Sequence, residues 1–134
     1  MIITAQHTGN AHIELKHLAS GQTVATDAPA SHGGLGVCPT PVDIMAEALA
    51  ACALTTAVMC AKNMNIDTTG WHAEVEGYAK DAETNSVASI AINLHFGAGI
   101  EPKQRAKLEA FTKHGCTVGN TLKSQEQFTF SYDA

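Results

Sequence analysis

The sequence predicts an α+β fold in which antiparallel sheets surround one long buried helix. Two observations predict it. Both ends of the chain alternate apolar and polar residues with the period of a strand, whereas residues 42–63 form an unbroken run rich in Ala, Leu and Met. A chain of 134 residues has the length of one ordinary domain. We therefore predict a single domain over residues 1–134 with the element order β-β-β-α-β-β-α-α-β.

Three short strands are predicted in the first thirty residues. Ile2–Gln6 is apolar, His12–Leu18 alternates between two faces, and Gln22–Thr26 is the third candidate. The dipeptides Gly9-Asn10 and Ser20-Gly21 separate them, and both suit tight hairpin turns. A three-stranded antiparallel meander is the simplest arrangement of these elements.

The long apolar run predicts a helix. Thr40 can cap it, Pro41 suits the first helical position, and Asp43 lies near the positive end of the helix dipole. Because the run is apolar on almost every side, the helix is expected to pass through the core. A membrane span is the alternative at this length. Glu47 lies within the run and its apolar residues are largely alanine, so we favour a soluble helix.

The second half of the chain returns to strand periodicity. Trp71–Lys80 and Val87–Phe96 predict a hairpin, and the second strand places Ile90, Ile92, Leu94 and Phe96 on one face.

A second helix is predicted to begin at Glu101-Pro102 and to continue through about His114, with Leu108 and Phe111 facing inward. The glycine that follows, Gly115, is expected to stop it. The chain then closes with two further elements: a short helix, Cys116–Lys123, and a strand, Gln127–Tyr132.

Composition excludes several classes of function. Thirteen acidic residues outnumber eight basic ones, which are scattered along the chain, so a nucleic-acid surface is not expected. The N-terminal residues do not resemble a secretory signal, and four cysteines without one indicate thiols in a reducing cytoplasm. Charged residues make up only 16% of the chain, which suits a surface partly hidden in an oligomer.

The cysteines occupy three kinds of position. Cys38 lies in a loop, Cys52 and Cys60 share the long helix, and Cys116 begins the short one. Eight helical residues separate Cys52 from Cys60 by about 12 Å, too far for a disulfide. A cysteine in an alanine-rich helix is usually a small buried apolar residue. Cys116 differs, because free amide groups at a helix start would stabilise a thiolate.

No metal or cofactor site is predicted. The seven histidines form no HExxH motif, no CxxC pair accompanies them, and His7, His12 and His17 recur along strands as surface residues do. His114 and Cys116 together offer only two ligands. The glycines at positions 33, 34 and 36 are separated from the helix by prolines, so their amide groups would not converge on a phosphate.

Several segments carry a family resemblance. They are Asp27-Ala-Pro, Gly33-Gly-Leu-Gly, the run from Thr40-Pro-Val-Asp to Ala-Ala-Cys52, the strand Trp71–Lys80, and His114-Gly-Cys116-Thr-Val-Gly-Asn-Thr-Leu122. Together they resemble the OsmC/Ohr family of osmotically induced and organic hydroperoxide resistance proteins. The match extends from about Asp27 to the C-terminus, and its two cysteine blocks lie 64 residues apart.

The resemblance implies an OsmC-like fold, an intertwined homodimer, and two equivalent sites at the subunit interface. It also implies that Cys52 attacks an organic hydroperoxide and that Cys116 resolves the resulting sulfenic acid as a disulfide. A thiol reductant would then restore the site. A membrane, a nucleic acid and a metal are not implied.

The sequence departs from the family pattern around this pair. The family's N-terminal arginine is absent, since the single arginine is Arg105; Val42 replaces a family glutamate, and Thr117 replaces a proline. Lys16 is a candidate replacement cation. Without a cationic neighbour, burial is expected to raise the pKa of Cys52. Two alternatives therefore remain: an OsmC-like protein that binds a small apolar ligand or partner in the interfacial pocket, and a structural, stress-associated dimer.

Overall fold

The chain carries two three-stranded sheets, one in each of two compact units. A computed structural model describes residues 1–122 and 124–134. The first unit is Met1–Met45 and the second is Ala46–Ala134. The mixed α+β class predicted from the sequence is confirmed.

The first unit contains the predicted antiparallel meander. Its strands are β1 (Ile3–Gly9), β2 (His12–His17) and β3 (Thr23–Asp27), with β2 in the middle. The first turn is irregular, because Asn10 and Ala11 both adopt positive φ angles, of 55° and 56°. The register between β1 and β2 shifts there by one residue.

A buried carboxylate holds the loop that follows the meander. Asp27 is only 1% exposed, and its Oδ2 accepts hydrogen bonds from the backbone N–H groups of Val37, at 3.1 Å, and Cys38, at 2.7 Å. Its Oδ1 lies 2.6 Å from Nδ1 of His12 on the neighbouring strand. Three polar contacts therefore compensate the desolvation of this one carboxylate.

The long helix, α1 (Pro41–Asn63), begins as predicted. The Asp43 N–H donates to the Thr40 hydroxyl oxygen at 3.2 Å, and the Thr40 N–H donates to the Asp43 carboxylate at 2.9 Å. This reciprocal pair is a capping box, and it places Pro41 at the first helical position. The helix is long and apolar enough to cross a membrane by length and composition alone.

Within the single chain, α1 is buried along one side and exposed along another. Burial follows one stripe at helical spacing: Ala46, Leu49, Ala53, Thr56, Ala57, Cys60 and Ala61. On the opposite side, the exposed positions of the helix include Ala48, Ala51, Thr55 and Met59, and Lys62 continues this stripe towards the end of the helix. The two stripes lie roughly 150° apart around the helix axis. The apolar composition of the second stripe is therefore not explained by packing within one chain.

The second unit contains β4 (His72–Asp81), β5 (Ser86–Phe96) and β6 (Gln125–Tyr132), with β5 in the middle. The predicted inward face of β5 is confirmed, because its apolar side chains at alternate positions from 90 to 96 are at most 1% exposed. The hairpin β4–β5 is antiparallel as predicted. However, β6 pairs with β5 in parallel. Two helices lie between β5 and β6, and this crossover brings the chain back to the end of the sheet at which β5 begins.

Those two helices are α2 (Pro102–Gly115) and α3 (Thr117–Thr121). A capping box between Glu101 and Gln104 starts α2. Leu108 is buried as predicted, but Phe111 is 47% exposed, so its predicted inward position is wrong. Thr112 is buried instead, because it follows Leu108 by one helical turn, and its hydroxyl donates to the Leu108 carbonyl oxygen at 2.7 Å. The last residue of the predicted short helix, Lys123, lies outside the described residues.

Candidate functional site

Cys52 and Cys116 lie side by side in the second unit. Cys52 is half-buried on α1, whereas Cys116 is completely buried between α2 and α3. The two side chains are hydrogen-bonded to each other through their thiol groups. The sequence predicted these two residues as a pair only through the family resemblance, since 64 residues separate them.

Cys116 is held as a protonated thiol. Burial raises its pKa, and the hydrogen bond with Cys52 and the charge on Cys52 raise it further. One interaction opposes this shift, because the Gly119 N–H donates to the Cys116 sulfur at 3.4 Å. The sequence predicts that the amide groups at this helix start stabilise a thiolate on Cys116. The effect of burial on the pKa of Cys116 is larger than the effect of the one amide group that donates to it, and this prediction is therefore wrong.

Cys52 has the opposite tendency. Burial acts to raise its pKa, but donors to the sulfur together lower the pKa below its ordinary value: the N–H of Val118, the thiol of Cys116 and the N–H of Thr117. The expected increase in the pKa of Cys52 is therefore wrong. The Cys52 thiolate does not depend on a cationic side chain, because the start of α3 supplies backbone N–H groups to its sulfur.

Thr56 lies one helical turn after Cys52 and contacts it twice. Its hydroxyl donates to the Cys52 carbonyl oxygen at 2.8 Å, and the same hydroxyl lies beside the Cys52 sulfur. A hydroxyl has a single proton, so it can serve only one of these acceptors at a time. The amide groups and the Cys116 thiol are therefore the more constant donors to the sulfur.

Cys52 opens onto an apolar cavity of about 470 Å³. The lining includes Ala51, Thr55, Met59, Phe111 and Thr117. Met59 and Phe111 are 62% and 47% exposed, although both are large apolar side chains. The inward position predicted for Phe111 was wrong because this side chain borders the cavity.

The single arginine has a structural role elsewhere in the second unit. The Nε–H of Arg105 donates to the Ile100 carbonyl oxygen at 2.8 Å, and its guanidinium lies 4.1 Å from the centre of the Tyr132 ring. Arg105 therefore stabilises the start of α2 and connects this helix to the Tyr132 ring.

Cys38 and Cys60 do not share the properties of Cys52. Burial raises the pKa of the Cys60 thiol. Burial also raises the pKa of Cys38, and the negative charge and hydrogen bond of Asp27 raise it further. Both thiols are therefore less nucleophilic at neutral pH than an ordinary cysteine.

The sequence was compared with known families and structures. Residues 32–131 match the family described as OsmC-like protein. The chain belongs to the OsmC-like family. The resemblance seen in the sequence is thus confirmed over most of the chain. A comparison with functionally curated proteins found no match.

Solved OsmC-like structures share the fold. One, from Psychrobacter arcticus, is described as an osmotic stress induced and detoxification response protein; it is 25% identical, with a TM-score of 0.88 over 99% of this chain and 96% of that one. An OsmC-like protein from Mycoplasma pneumoniae is 16% identical, with a TM-score of 0.85 over 98% and 96%. The organic hydroperoxide resistance protein OhrB of Bacillus subtilis is 17% identical, with a TM-score of 0.64 over 98% and 96%.

The structure also brings together two groups of potential metal ligands that the sequence analysis did not find. One is His12, Asp27 and Cys38; the other is His72, Glu74 and His95. Spacings along single segments do not reveal these groups, because the first joins β2, β3 and the loop at Cys38 and the second joins the paired strands β4 and β5. In the first group both carboxylate oxygens of Asp27 are already hydrogen-bonded, which indicates a structural role.

Proposed function

We propose that this OsmC-like protein reduces organic hydroperoxides with its own thiols. Cys52 is the attacking cysteine and Cys116 is the resolving one. The observation that carries the proposal is the hydrogen bond between the two thiols, with a lowered pKa at Cys52 and a raised pKa at Cys116. A low pKa favours the thiolate that attacks, and the neighbouring thiol is within reach for the second step.

In the first step the Cys52 thiolate attacks the outer oxygen of the hydroperoxide. A sulfur–oxygen bond forms as the oxygen–oxygen bond breaks, so the cysteine is oxidised to a sulfenic acid and the peroxide is reduced. The departing alkoxide takes up a proton and leaves as an alcohol. The amide groups of Thr117 and Val118 hold the sulfur that makes this attack.

In the second step the Cys116 sulfur attacks the Cys52 sulfenic acid. A sulfur–sulfur bond forms as the sulfur–oxygen bond of the sulfenic acid breaks. The hydroxyl group of the sulfenic acid leaves with the Cys116 proton as water. An external dithiol then reduces the disulfide by exchange and is itself oxidised. The complete cycle converts one hydroperoxide and two reducing thiols into an alcohol, water and a disulfide.

The cavity beside Cys52 supports an organic hydroperoxide as the substrate. It is large enough, at about 470 Å³, for a substrate of drug-like size. Its apolar lining favours a hydrocarbon chain over hydrogen peroxide, which is small and polar.

The active form is a homodimer in the cytoplasm. Two observations support the dimer. The stripe of Ala48, Ala51, Thr55 and Met59 on α1 is exposed in the single chain. The meander also exposes apolar side chains, including Ile3 at 59% and Val24 at 52%. A three-stranded sheet needs a covered face to be stable, and a second copy of the chain supplies one.

The proposal is tested by mixing the reduced protein with cumene hydroperoxide and counting free thiols before and after. We expect rapid loss of two thiols per chain and a peptide that links Cys52 to Cys116. The variant Cys52→Ser should lose the reaction. The variant Cys116→Ser should still consume one hydroperoxide per chain but stop at the sulfenic acid. Cys60→Ala, on the same helix as Cys52, is the matched control and should react normally.

The apolar cavity also supports a second candidate function, the binding of an apolar ligand without peroxide chemistry. In that case the thiols would be unchanged by cumene hydroperoxide. An apolar ligand would raise the unfolding temperature equally in the natural protein and in Cys52→Ser. These two results together would replace the peroxidase proposal.

A further inference from the structure

A group of three side chains on the second sheet has the composition of a metal site. We infer that His72, Glu74 and His95 bind a Zn²⁺ ion. This inference does not depend on the proposed peroxidase, because it concerns different residues and a different chemistry.

The strand register brings the three side chains to one place. His72 on β4 lies directly opposite His95 on β5 in the antiparallel ladder. Glu74 follows His72 by two residues, so it projects from the same face of the sheet. Neighbours of this kind across a strand pair have side chains within contact distance.

The ligand atoms already lie close to the separations that zinc requires. The Nε2 atom of His95 is 3.2 Å from Glu74 Oε2, and the Nε2 atom of His72 is 3.9 Å from Glu74 Oε1. All three ligand atoms lie within 4.8 Å of one another. Ligands bound at roughly 2.1 Å in a tetrahedron are about 3.4 Å apart, so these two separations are each within about 0.5 Å of that value.

The tautomer of His72 is suited to metal binding. Its Nδ1 lies 3.1 Å from the Gly70 carbonyl oxygen. A carbonyl oxygen only accepts hydrogen bonds, so the proton is on Nδ1 and the Nε2 lone pair is free to coordinate. A backbone carbonyl that fixes the second nitrogen is the usual support for a metal-bound histidine.

The contact between His95 and Glu74 can be replaced by a metal ion. The His95 Nε2 atom lies 3.2 Å from Glu74 Oε2 and 3.0 Å from the Asn93 side-chain nitrogen. That amide nitrogen can only donate, so His95 Nε2 accepts from it and has a lone pair. A bound Zn²⁺ takes the position between His95 Nε2 and the Glu74 carboxylate and replaces the Asn93 N–H at that lone pair. The rings of His72 and His95 are stacked, with centres 4.5 Å apart and planes 8° from parallel. Binding turns them out of this stack, so that both lone pairs point at the ion.

A small cavity beside the two histidines leaves room for a fourth ligand. It has a volume of about 80 Å³, and Trp71 and Asp133 also line it. Trp71 is 8% exposed, and its Nε1–H has no hydrogen-bond partner among the residues that the structure describes. A β-carbon on the cavity residue Gly97 would lie 3.3 Å from that nitrogen. The indole N–H therefore lies against the Gly97 backbone at the edge of this cavity.

The donor set favours zinc. Two imidazole nitrogens and one carboxylate, with a position left for water, form a site typical of Zn²⁺. Mg²⁺ and Ca²⁺ prefer oxygen ligands alone. An ion bound here would link β4 to β5 through the side chains of the paired residues His72 and His95.

The test is a titration of the full-length reduced protein, first freed of metal with a chelator, with Zn²⁺ and separately with Co²⁺. We expect one Zn²⁺ per chain at this site, and an affinity that is about tenfold or more weaker in His95→Gln and in Glu74→Gln. His7→Gln, which changes an exposed histidine on β1, is the matched control and should bind as the natural protein does. Each ligand residue is substantially exposed, so these variants are expected to fold.

Cobalt distinguishes this site from the cysteines. Co²⁺ bound by nitrogen and oxygen shows visible bands without the near-ultraviolet sulfur-to-metal charge-transfer band that thiolates produce. We expect visible bands that His95→Gln removes. If no metal binds, or if binding survives in both His95→Gln and Glu74→Gln, the inference is wrong. It is also wrong if the only bound Co²⁺ has the charge-transfer band of a thiolate.

Discussion

The thiol of Cys116 donates a hydrogen bond to the sulfur of Cys52. This contact makes the two cysteines unequal, because the residue that accepts becomes the better thiolate and the residue that donates keeps its proton. Burial adds to the difference, since Cys116 is completely buried and Cys52 borders a cavity. The pair is therefore arranged with one nucleophile and one thiol held in contact with it.

The first prediction concerns the pH dependence of thiol reactivity. Cys52 should be alkylated by iodoacetamide at a lower pH than the other cysteines, because donors to its sulfur lower its pKa from the ordinary value of 9.0. Cys116 should react only above that value, since burial raises its pKa. Peptide mapping of the alkylated sites at a series of pH values measures both. Equal reactivity of the two residues would contradict the prediction.

The opposite pKa shifts of Cys52 and Cys116 also predict how the stability of the fold changes with pH. A thiol whose pKa is lowered in the folded state stabilises that state above the unfolded pKa, and this contribution is lost as the pH falls through the folded pKa. Cys116, with a raised pKa, contributes below 9.0 and loses this contribution as the pH rises through its folded pKa. Thermal unfolding of Cys52→Ala and Cys116→Ala between neutral and alkaline pH should therefore show opposite slopes relative to the natural protein.

The second prediction concerns the backbone donors. Thr117→Pro removes the N–H that reaches Cys52, and proline is compatible with the first position of α3. The pKa of Cys52 should rise, and its alkylation at neutral pH should slow. Both Thr117→Pro and Thr117→Ala remove the threonine hydroxyl, but Thr117→Ala keeps the backbone N–H. Thr117→Ala is therefore the matched control. If both variants react at the natural rate, the Thr117 amide group has no part in stabilising the thiolate.

The third prediction concerns the buried carboxylate of the first unit. Asp27→Asn should lower the unfolding temperature, because asparagine keeps only one of the two acceptor oxygens and loses the charge. That oxygen can accept from Val37 and Cys38, or lie against His12, but not both. Glu14→Gln, at an exposed position on β2, is the control. Hydrogen bonds from the Cys38 N–H and from His12 lower the pKa of Asp27 below 3.8. The carboxylate of Asp27 thus adds to the free energy of unfolding above pH 3.8, and this contribution should disappear as the pH falls through the pKa of Asp27 in the folded state.

The fourth prediction concerns a close backbone approach. A β-carbon on Gly34 would lie 2.0 Å from the Ala28 carbonyl oxygen, which is too close for any side chain. Gly34→Ala should therefore reduce the free energy of unfolding by at least about 2 kcal/mol. Gly77→Ala is the control, because no atom lies within 4 Å of the added carbon. Denaturant titration of the two variants measures the difference, and equal midpoints would contradict it.

The fifth prediction concerns the exposed stripe of α1. Ala48→Glu places a charge within the proposed dimer interface and should produce a monomer in sedimentation experiments. Lys103→Glu, at an exposed position on α2 outside this stripe, should leave the dimer intact. A dimer that survives Ala48→Glu would show that this stripe does not form the interface.

The local elements follow from the sequence alone. Alternation predicted the meander and the β4–β5 hairpin, and the apolar run between Thr40 and Asn63 predicted α1 together with its capping residues. These features depend on side chains a few positions apart, which periodicity and capping rules describe directly. The family resemblance also came from the sequence, because its motifs are continuous segments.

The properties of the site depend on contacts between distant parts of the chain. The lowered pKa of Cys52 depends on amide groups more than sixty positions away in the chain, and the parallel pairing of β6 depends on the path of α2 and α3. The triad of His72, Glu74 and His95 likewise needs the register between two strands. The Cys52 pKa, the pairing of β6 and the triad all depend on atoms that lie a few ångströms apart in space. Sequence patterns describe only residues that are neighbours along the chain.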